Sequence, residues 1–342
     1  MRRIIYILLV LGWGLGFSQI PNGYYDNAQG LTGDNLRTAL YNIIKNHNQE
    51  SYNGLWTDFQ TTDVKSNGKV WDMYSTRSDG TANYEFTFVS DQCGNYSGEG
   101  TCYNREHSVP ASWFDDDYPM YSDLFHLYPT DGYVNNRRSN YPFGEVGSAT
   151  WTSTNGSKLG SSNYPGYSGT VFEPIDEFKG DFARSYFYML TCYMPNISSW
   201  SSDMLSGDNF STWAKNMLLE WNELDPVSQK EIDRNNAVYG IQNNRNPYID
   251  HPEWAVAVWD PNAFNVIKDV KTSFQFWYSN QTANWNYTQP ISTLEIYNVL
   301  GQKVDVEEHL NNNGSVSIPL KKGVYIARFK SDQIYVLKFV VK

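Results

Sequence analysis

Apolar residues recur at helical spacing in several segments of the first 242 residues. In LTGDNLRTALYNIIKNH, for example, Leu36, Leu40 and Ile44 fall on one helical face. Pro226 suits the start of the last segment, because proline is favoured in the first turn of a helix. The pattern predicts helices over residues 31–47, 176–192, 208–224 and 226–242.

Other segments alternate apolar and polar residues, which is typical of strands. Residues 68–75 and 84–89 are predicted to be strands of a small sheet among the helices. From residue 273 onward, short alternating runs are separated by Gly, Asn and Pro, which predicts an all-β sandwich. The expected class is therefore α+β, followed by a small all-β domain.

The first 18 residues have the order of a secretory signal peptide, with Arg2 and Arg3, an apolar run and then small residues. We expect cleavage near Ser18 and an exported protein, since no later run reaches the roughly 18 apolar residues of a membrane helix. The expected division is a signal peptide over 1–18, an α+β domain over 19–260, a linker over 261–272 and a sandwich over 273–342.

Composition and charge narrow the function. Aromatic residues make up 16% of the chain and apolar residues 40%, as in folded proteins. Residues 19–272 carry 17 Lys and Arg against 32 Asp and Glu, net −15, which argues against a broad electropositive surface for nucleic acid. A local cluster of arginines with a metal ion could still bind DNA, and we would then expect steeply salt-dependent binding.

The chain has three cysteines, so at most two of them can form a disulfide within the chain, as is common in exported proteins. Cys93 and Cys102 bracket a short Gly- and Ser-rich loop, so a disulfide between them closes little chain. Cys192 lies in an apolar helical segment and is expected to be a buried free thiol.

The candidate chemistry is concentrated in CYNREHSVPASWF and in the NNRRSN segment that follows it. His107 titrates near neutrality and can act as a base. Glu106 and Asn135 carry oxygen atoms suited to Mg²⁺ or Ca²⁺, and Arg137 and Arg138 can bind a phosphate through two parallel hydrogen bonds. Each short motif by itself is more typical of an ordinary polar loop, and Asp115 to Asp117 are more typical of a solvated acidic loop than of the alternative, a structural calcium site.

Four blocks in order are far more specific: REHSVPASWF, SDLFHLYPTDGYVNNRRSNYPFGEV, FKGDFARSYFYM and EIDRNNAVYGIQNNRNPYIDHPEWA. Over roughly residues 20–260 the chain resembles the endonuclease I family of secreted bacterial nucleases, members of the ββα-metal (His-Me finger) group. The resemblance implies a ββα-metal nuclease core with surrounding helices. It also implies sequence-independent hydrolysis of DNA, and of RNA as an open alternative, to 5′-phosphate ends.

The resemblance also implies roles for individual residues. His107 would be the general base, while Glu106 and Asn135 would hold one divalent cation, most readily Mg²⁺, with Mn²⁺ or Ca²⁺ as alternatives. Asp123, His126 and Arg138 match positions that support the site or contact phosphate. DNA contact or a scaffold role is implied for Arg184, Arg234 and Arg245.

The chain departs from the family in one place. Some members have a phosphate-binding arginine between the Glu-His pair and the Asp-Leu block, but residues 108–122 contain none. Arg137 or Arg138 could replace it. Otherwise the protein could be an inactive nuclease, and an adhesion or glycan-binding protein is the rival from another class.

The C-terminal segments LEIYNVLGQKV, KKGVYIARF and KFVVK resemble the sorting domain of the type IX secretion system. This implies export across the outer membrane by that machinery, with the tail as an address that is then removed. An ordinary adhesive sandwich is the alternative. We expect no stable protein partner.

Overall fold

The computed structural model describes residues 20–77, 79–93, 96–264, 275–279, 281–287, 291–298, 303–330 and 334–341. The predicted signal peptide and most of the predicted linker lie outside the described residues. The chain folds into two compact units, one ending at Asp260 and the other starting at Pro261.

The first unit is built largely from helices. One of them, Lys179–Cys192, is buried over its entire length, because aromatic and apolar residues occur all around it. The helices are α1 (Gly33–Ile44), α2 (Leu55–Thr62), α3 (Gly132–Arg138), α4 (Lys179–Cys192), α5 (Thr212–Leu224), α6 (Gln229–Gln242), α7 (Pro247–Asp250) and α8 (Trp254–Trp259).

Three small antiparallel sheets accompany these helices among the described residues. The pair that matters for function joins β1 to β2, and α3 follows β2 directly. The strands are β1 (Tyr103–His107), β2 (Leu127–Asp131), β3 (Val146–Thr152), β4 (Lys158–Ser162), β5 (Thr170–Glu173), β6 (Leu205–Ser206) and β7 (Asn209–Phe210). The α+β class is confirmed.

Two details of the predicted elements are wrong. Residues 68–75 and 84–89 form turns and isolated bridges instead of strands. The alternation of apolar and polar residues in these segments instead reflects packing, because Val70 and Phe86 pack with Tyr103 in a small apolar cluster without a strand ladder. The helix expected from residue 226 begins at Gln229, because Ser228 forms a capping box with Glu231.

The second unit is all β among its described residues. Its strands are β8 (Gln275–Ser279), β9 (Thr282–Asn286), β10 (Ile291–Asn298), β11 (Lys303–Leu310), β12 (Asn313–Ser317), β13 (Gly323–Lys330) and β14 (Ile334–Val341). They form a sheet in the order β11-β10-β13-β14 and another in the order β12-β9-β8. Trp285, Leu294 and Phe329 from both sheets share one apolar core, as in a sandwich.

Within the described part of the chain, no helix has the length and apolar character required to cross a membrane.

Candidate active site

The β1, β2 and α3 elements form one compact unit that carries the predicted reactive residues. Asp131 ends β2 and caps α3, because its Oδ1 accepts hydrogen bonds from the backbone N–H groups of Tyr133 (2.8 Å) and Val134 (2.9 Å). The cap fixes where α3 begins and so places Asn135 beside β1. A disulfide joins Cys93 to Cys102 immediately before β1, and Cys192 is a buried free thiol.

One face of β1 carries Glu106 and also Asn104, the hydrogen-bond partner of Asn135. The Nδ2 of Asn135 donates to Oδ1 of Asn104 (2.8 Å), and Asn104 shares its face of β1 with Glu106, two residues further on. On Glu106, Oε1 accepts from the Arg138 guanidinium (2.9 Å) and from the Tyr74 hydroxyl (2.8 Å). Among the described residues, neither Glu106 Oε2 nor Asn135 Oδ1 accepts a hydrogen bond, which leaves one free oxygen on each.

This donor set suits a hard divalent cation. A carboxylate oxygen and an amide oxygen are ligands that Mg²⁺ and Ca²⁺ prefer, and two protein ligands leave positions for water and phosphate. Burial raises the pKa of Glu106 to about 7, although Arg138 and the Tyr74 hydroxyl lower it. A cation would therefore bind with displacement of a proton near neutral pH.

The opposite face of β1 carries His107. Its Nε2 lies 3.1 Å from the backbone carbonyl oxygen of Tyr121, and the rings of Tyr121 and Tyr52 lie nearly parallel to the imidazole at 4.9 and 5.7 Å. A carbonyl only accepts, so Nε2 carries the hydrogen and Nδ1 keeps its lone pair. Nδ1 forms no hydrogen bond with the described residues.

The environment keeps this imidazole neutral. Burial, followed by the neighbouring His126 ring at 5.5 Å, lowers the pKa of His107 to about 3. A neutral imidazole with a fixed tautomer is ready to accept a proton at Nδ1. The lowered pKa also makes it a weaker base than an exposed histidine.

Adjacent side chains of an extended strand point to opposite faces, so Glu106 and His107 could act from the same face only if the chain bent between them. The strand pairing runs through Glu106↔Tyr128 and His107↔Leu127 without a shift. The chain leaves the strand only after His107, and Pro110 precedes a 3-10 turn. The two side chains therefore point to opposite faces at the end of β1.

Asp123 and His126 are buried residues that flank the segment hydrogen-bonded to His107. Asp123 is buried and accepts hydrogen bonds from the hydroxyls of Tyr193 (2.6 Å) and Tyr188 (2.8 Å) and from the Gln242 amide (3.0 Å). His126 is fully buried, with Nε2 2.7 Å from the carbonyl oxygen of Met120. Both residues thus brace the segment that carries the Tyr121 carbonyl.

Asp123 also belongs to a group with His47 and Cys192 whose potential ligand atoms lie within 4.8 Å of one another. The Oδ2 atom of Asp123 already accepts from both tyrosine hydroxyls. This atom is the one that lies 3.6 Å from His47 Nε2. We therefore interpret the group as a buried hydrogen-bond network.

The predicted contacts of Arg184, Arg234 and Arg245 with nucleic acid are not supported by the geometry. All three are buried and held by carboxylates: Arg184 by Glu231 at 2.6 and 2.8 Å, Arg234 by Asp63 at 2.8 Å, and Arg245 by Asp250 at 2.7 Å. Their role is in the scaffold. Arg234 also donates to the carbonyl oxygen of Leu127 and so braces β2 opposite His107.

The adjacent arginines of α3, Arg137 and Arg138, differ in their burial and in their binding partners. Arg138 is 1% exposed and binds Glu106 and the carbonyl oxygens of His107 (2.7 Å) and Ser108 (2.5 Å), so the predicted phosphate contact is not available to it in this structure. Arg137 is exposed and rests against Tyr133 and Trp151. Its predicted contact with nucleic acid remains a prediction.

Arg105, Tyr74 and Tyr52 also belong to the site and are absent from the set of sequence-predicted site residues. Arg105 lies two residues before His107 on the same face of β1. Strand periodicity, applied to the REH tripeptide, could have indicated Arg105. Tyr74 and Tyr52 come from distant loops, and no local pattern marks them.

Comparison with known proteins agrees with this architecture. Residues 32–253 match the family model described as Endonuclease I, and residues 279–342 match the model of a secretion system C-terminal sorting domain. An extracellular ribonuclease of Bacillus subtilis (strain 168) is 34% identical over 247 residues, which cover 69% of this chain and 78% of that protein.

Two further relatives extend the comparison. The extracellular ribonuclease of Bacillus amyloliquefaciens is also 34% identical over 247 residues, with the same coverage of 69% and 78%. Endonuclease-1 of Buchnera aphidicola subsp. Acyrthosiphon pisum is 29% identical over 129 residues, 37% of this chain and 44% of that protein.

Proposed function

The chain belongs to the endonuclease I family and is a nuclease exported to the cell surface or beyond, and on this premise we propose how it cleaves its substrate. The unit of β1, β2 and α3 is a ββα-metal core, with His107 as general base and Glu106 and Asn135 as metal ligands. The observation that carries the proposal is the hydrogen bond from His107 Nε2 to the Tyr121 carbonyl, which leaves Nδ1 as the acceptor.

The residues have separate tasks in hydrolysis. His107 Nδ1 takes the proton of the attacking water, and the Tyr121 carbonyl holds the imidazolium that results. A divalent cation bound at Glu106 Oε2 and Asn135 Oδ1 would supply positive charge where negative charge develops on the phosphate and the departing 3′ oxygen. Arg138 holds Glu106 in place from the opposite oxygen.

This arrangement restricts where the scissile phosphate can bind. The base and the metal ligands leave opposite faces of β1, so the scissile phosphate has to lie across the end of that strand. Cleavage on the 3′ oxygen side leaves 5′-phosphate ends.

The substrate is proposed to be DNA and RNA without sequence preference. Two relatives are named extracellular ribonucleases, which supports RNA, whereas the proposal of DNA rests on the resemblance to the endonuclease I family. The domain over 273–342 is proposed to direct the protein to the type IX secretion machinery and to be removed after export. The N-terminal 18 residues are proposed to be removed as a signal peptide.

The experiment compares the wild type with His107→Ala on plasmid DNA and structured RNA, with Mg²⁺, Mn²⁺ or Ca²⁺ and with EDTA. We expect the wild type to cut with a divalent ion and to stop in EDTA, and His107→Ala to lose at least about a hundredfold in rate. His251→Ala is the control, because this histidine stacks on Trp254 and belongs to no part of the proposed site. An intact substrate with every ion would indicate an inactive family member.

A further inference from the structure

Arg105 is a cationic residue on the strand that carries His107. It lies on β1 two residues before His107 and on the same face, at a Cα separation of about 7 Å for an extended strand. It is half-buried, so part of the side chain remains open to solvent.

Two aromatic rings hold its guanidinium. The central carbon lies 3.6 Å from the ring centroid of Tyr52 and 4.5 Å from that of Trp56. Nη1 donates to the backbone carbonyl oxygen of Tyr52 at 2.6 Å. The Tyr52 ring is also the one that lies parallel to His107, so Arg105 and the imidazole share one support.

The guanidinium has no anionic partner in the described part of the chain. Neither Nε nor Nη2 donates a hydrogen bond to a described residue, and no carboxylate lies within ion-pair distance. By contrast, Arg138, Arg184, Arg234 and Arg245 each bind a carboxylate. Arg37 and Arg137 also lack a carboxylate partner among the described residues, but of these three arginines only Arg105 lies on β1 beside His107, where an anionic substrate would complete its contacts.

We propose that Arg105, clamped by Tyr52 and Trp56, binds the phosphodiester next to the one that is cleaved. A planar guanidinium with two free N–H directions matches a phosphate better than a lysine does, and aromatic clamping keeps it in one orientation before the substrate arrives. This subsite rests on the proposed nuclease function and adds a second phosphate contact on the His107 face.

The test measures kcat and KM of Arg105→Gln, Arg105→Lys and wild type on a labelled oligonucleotide from 50 to 200 mM salt. We expect Arg105→Gln to raise KM about tenfold with little change in kcat. The slope of log kcat/KM against log salt should become shallower by about one. Arg105→Lys should restore the slope but only part of KM, and this variant keeps the test informative if the glutamine variant does not fold.

A chemically modified substrate distinguishes the loss of a phosphate contact from a structural effect of the Arg105 substitution. An oligonucleotide with an uncharged methylphosphonate beside the scissile bond, on one side or the other, should lower wild-type kcat/KM about as much as Arg105→Gln does. The Arg105→Gln enzyme should be insensitive to it. Arg77→Gln, which removes an exposed arginine 3.8 Å from Glu177, should behave as wild type.

The outcomes are distinct. Equal methylphosphonate effects in wild type and Arg105→Gln, or an unchanged KM and salt slope, would overturn the subsite while leaving the nuclease intact. A wild type that cuts nothing would instead overturn the proposed function.

Discussion

Replacing Arg138 by methionine removes the guanidinium that joins Glu106 to the end of β1. The arginine is 1% exposed and its partner carboxylate 2%, so water cannot replace the lost contacts. Removing one member of a buried ion pair typically costs about 3–5 kcal/mol. The carbonyl oxygens of His107 and Ser108 also lose their donor, which favours the upper part of that range.

The size of the effect can be measured by thermal unfolding. For a domain of this length, each kcal/mol shifts Tm by roughly 2–4 °C, so Arg138→Met should melt about 10–15 °C below the wild type. Arg137→Met is the matched control, since it changes the neighbouring exposed arginine. We expect it to cost about 0.5 kcal/mol or less.

The stability lost in Arg138→Met should also depend on pH. Burial raises the pKa of Glu106 to about 7 in the folded protein, so the folded state holds a proton that the unfolded chain has released, and stability falls as pH rises from about 4.5 to 7. Without Arg138 the pKa of Glu106 rises further. The destabilisation should therefore be larger at pH 8, where Glu106 without Arg138 either stays charged in the interior or takes up a proton, than at pH 5, where it is protonated in both proteins.

A double variant tests the cause. Glu106→Gln keeps an acceptor for the Tyr74 hydroxyl but removes the charge, so Glu106→Gln/Arg138→Met should be more stable at pH 8 than Arg138→Met alone. A melting temperature of Arg138→Met within 2 °C of that of Arg137→Met would refute the reasoning.

Three further predictions concern the metal, Asp123 and the disulfide. Because Glu106, with a pKa of about 7, must lose its proton, the Mg²⁺ affinity of the His107→Ala protein should rise about fivefold from pH 6 to 7 and about twofold more from pH 7 to 8. Titration calorimetry can measure this rise, and a flat profile would contradict it. Burial raises the pKa of Asp123, but His47, His126 and the hydrogen bonds from Tyr193 and Gln242 outweigh burial and hold this pKa below its usual value. Asp123→Asn should therefore destabilise the protein at pH 7 and progressively less as the pH falls. Urea unfolding at a series of pH values measures this dependence. Cys93→Ser should lower stability by about 2–3 kcal/mol, because the disulfide closes a loop with a sequence separation of 9, and an unchanged urea midpoint would speak against it.

The sequence alone was sufficient for features that depend on neighbouring residues. Helical periodicity located α1, α4, α5 and α6 to within a few residues, since burial of one face repeats along each helix. The short loop between Cys93 and Cys102 indicated a disulfide that the structure contains. The ordered blocks around His107 and Asn135 identified the family, because several spaced motifs rarely agree by chance.

Tertiary structure decided which side chains are free to act. Arg137 and Arg138 are adjacent in the sequence, yet one is exposed and the other is buried against Glu106, because successive residues of α3 point about 100° apart and only one direction meets β1. Likewise, Arg105 acquires its orientation from Tyr52 and Trp56, some 50 residues earlier in the chain. Burial and charge pairing depend on such distant contacts, which no local pattern of residues contains.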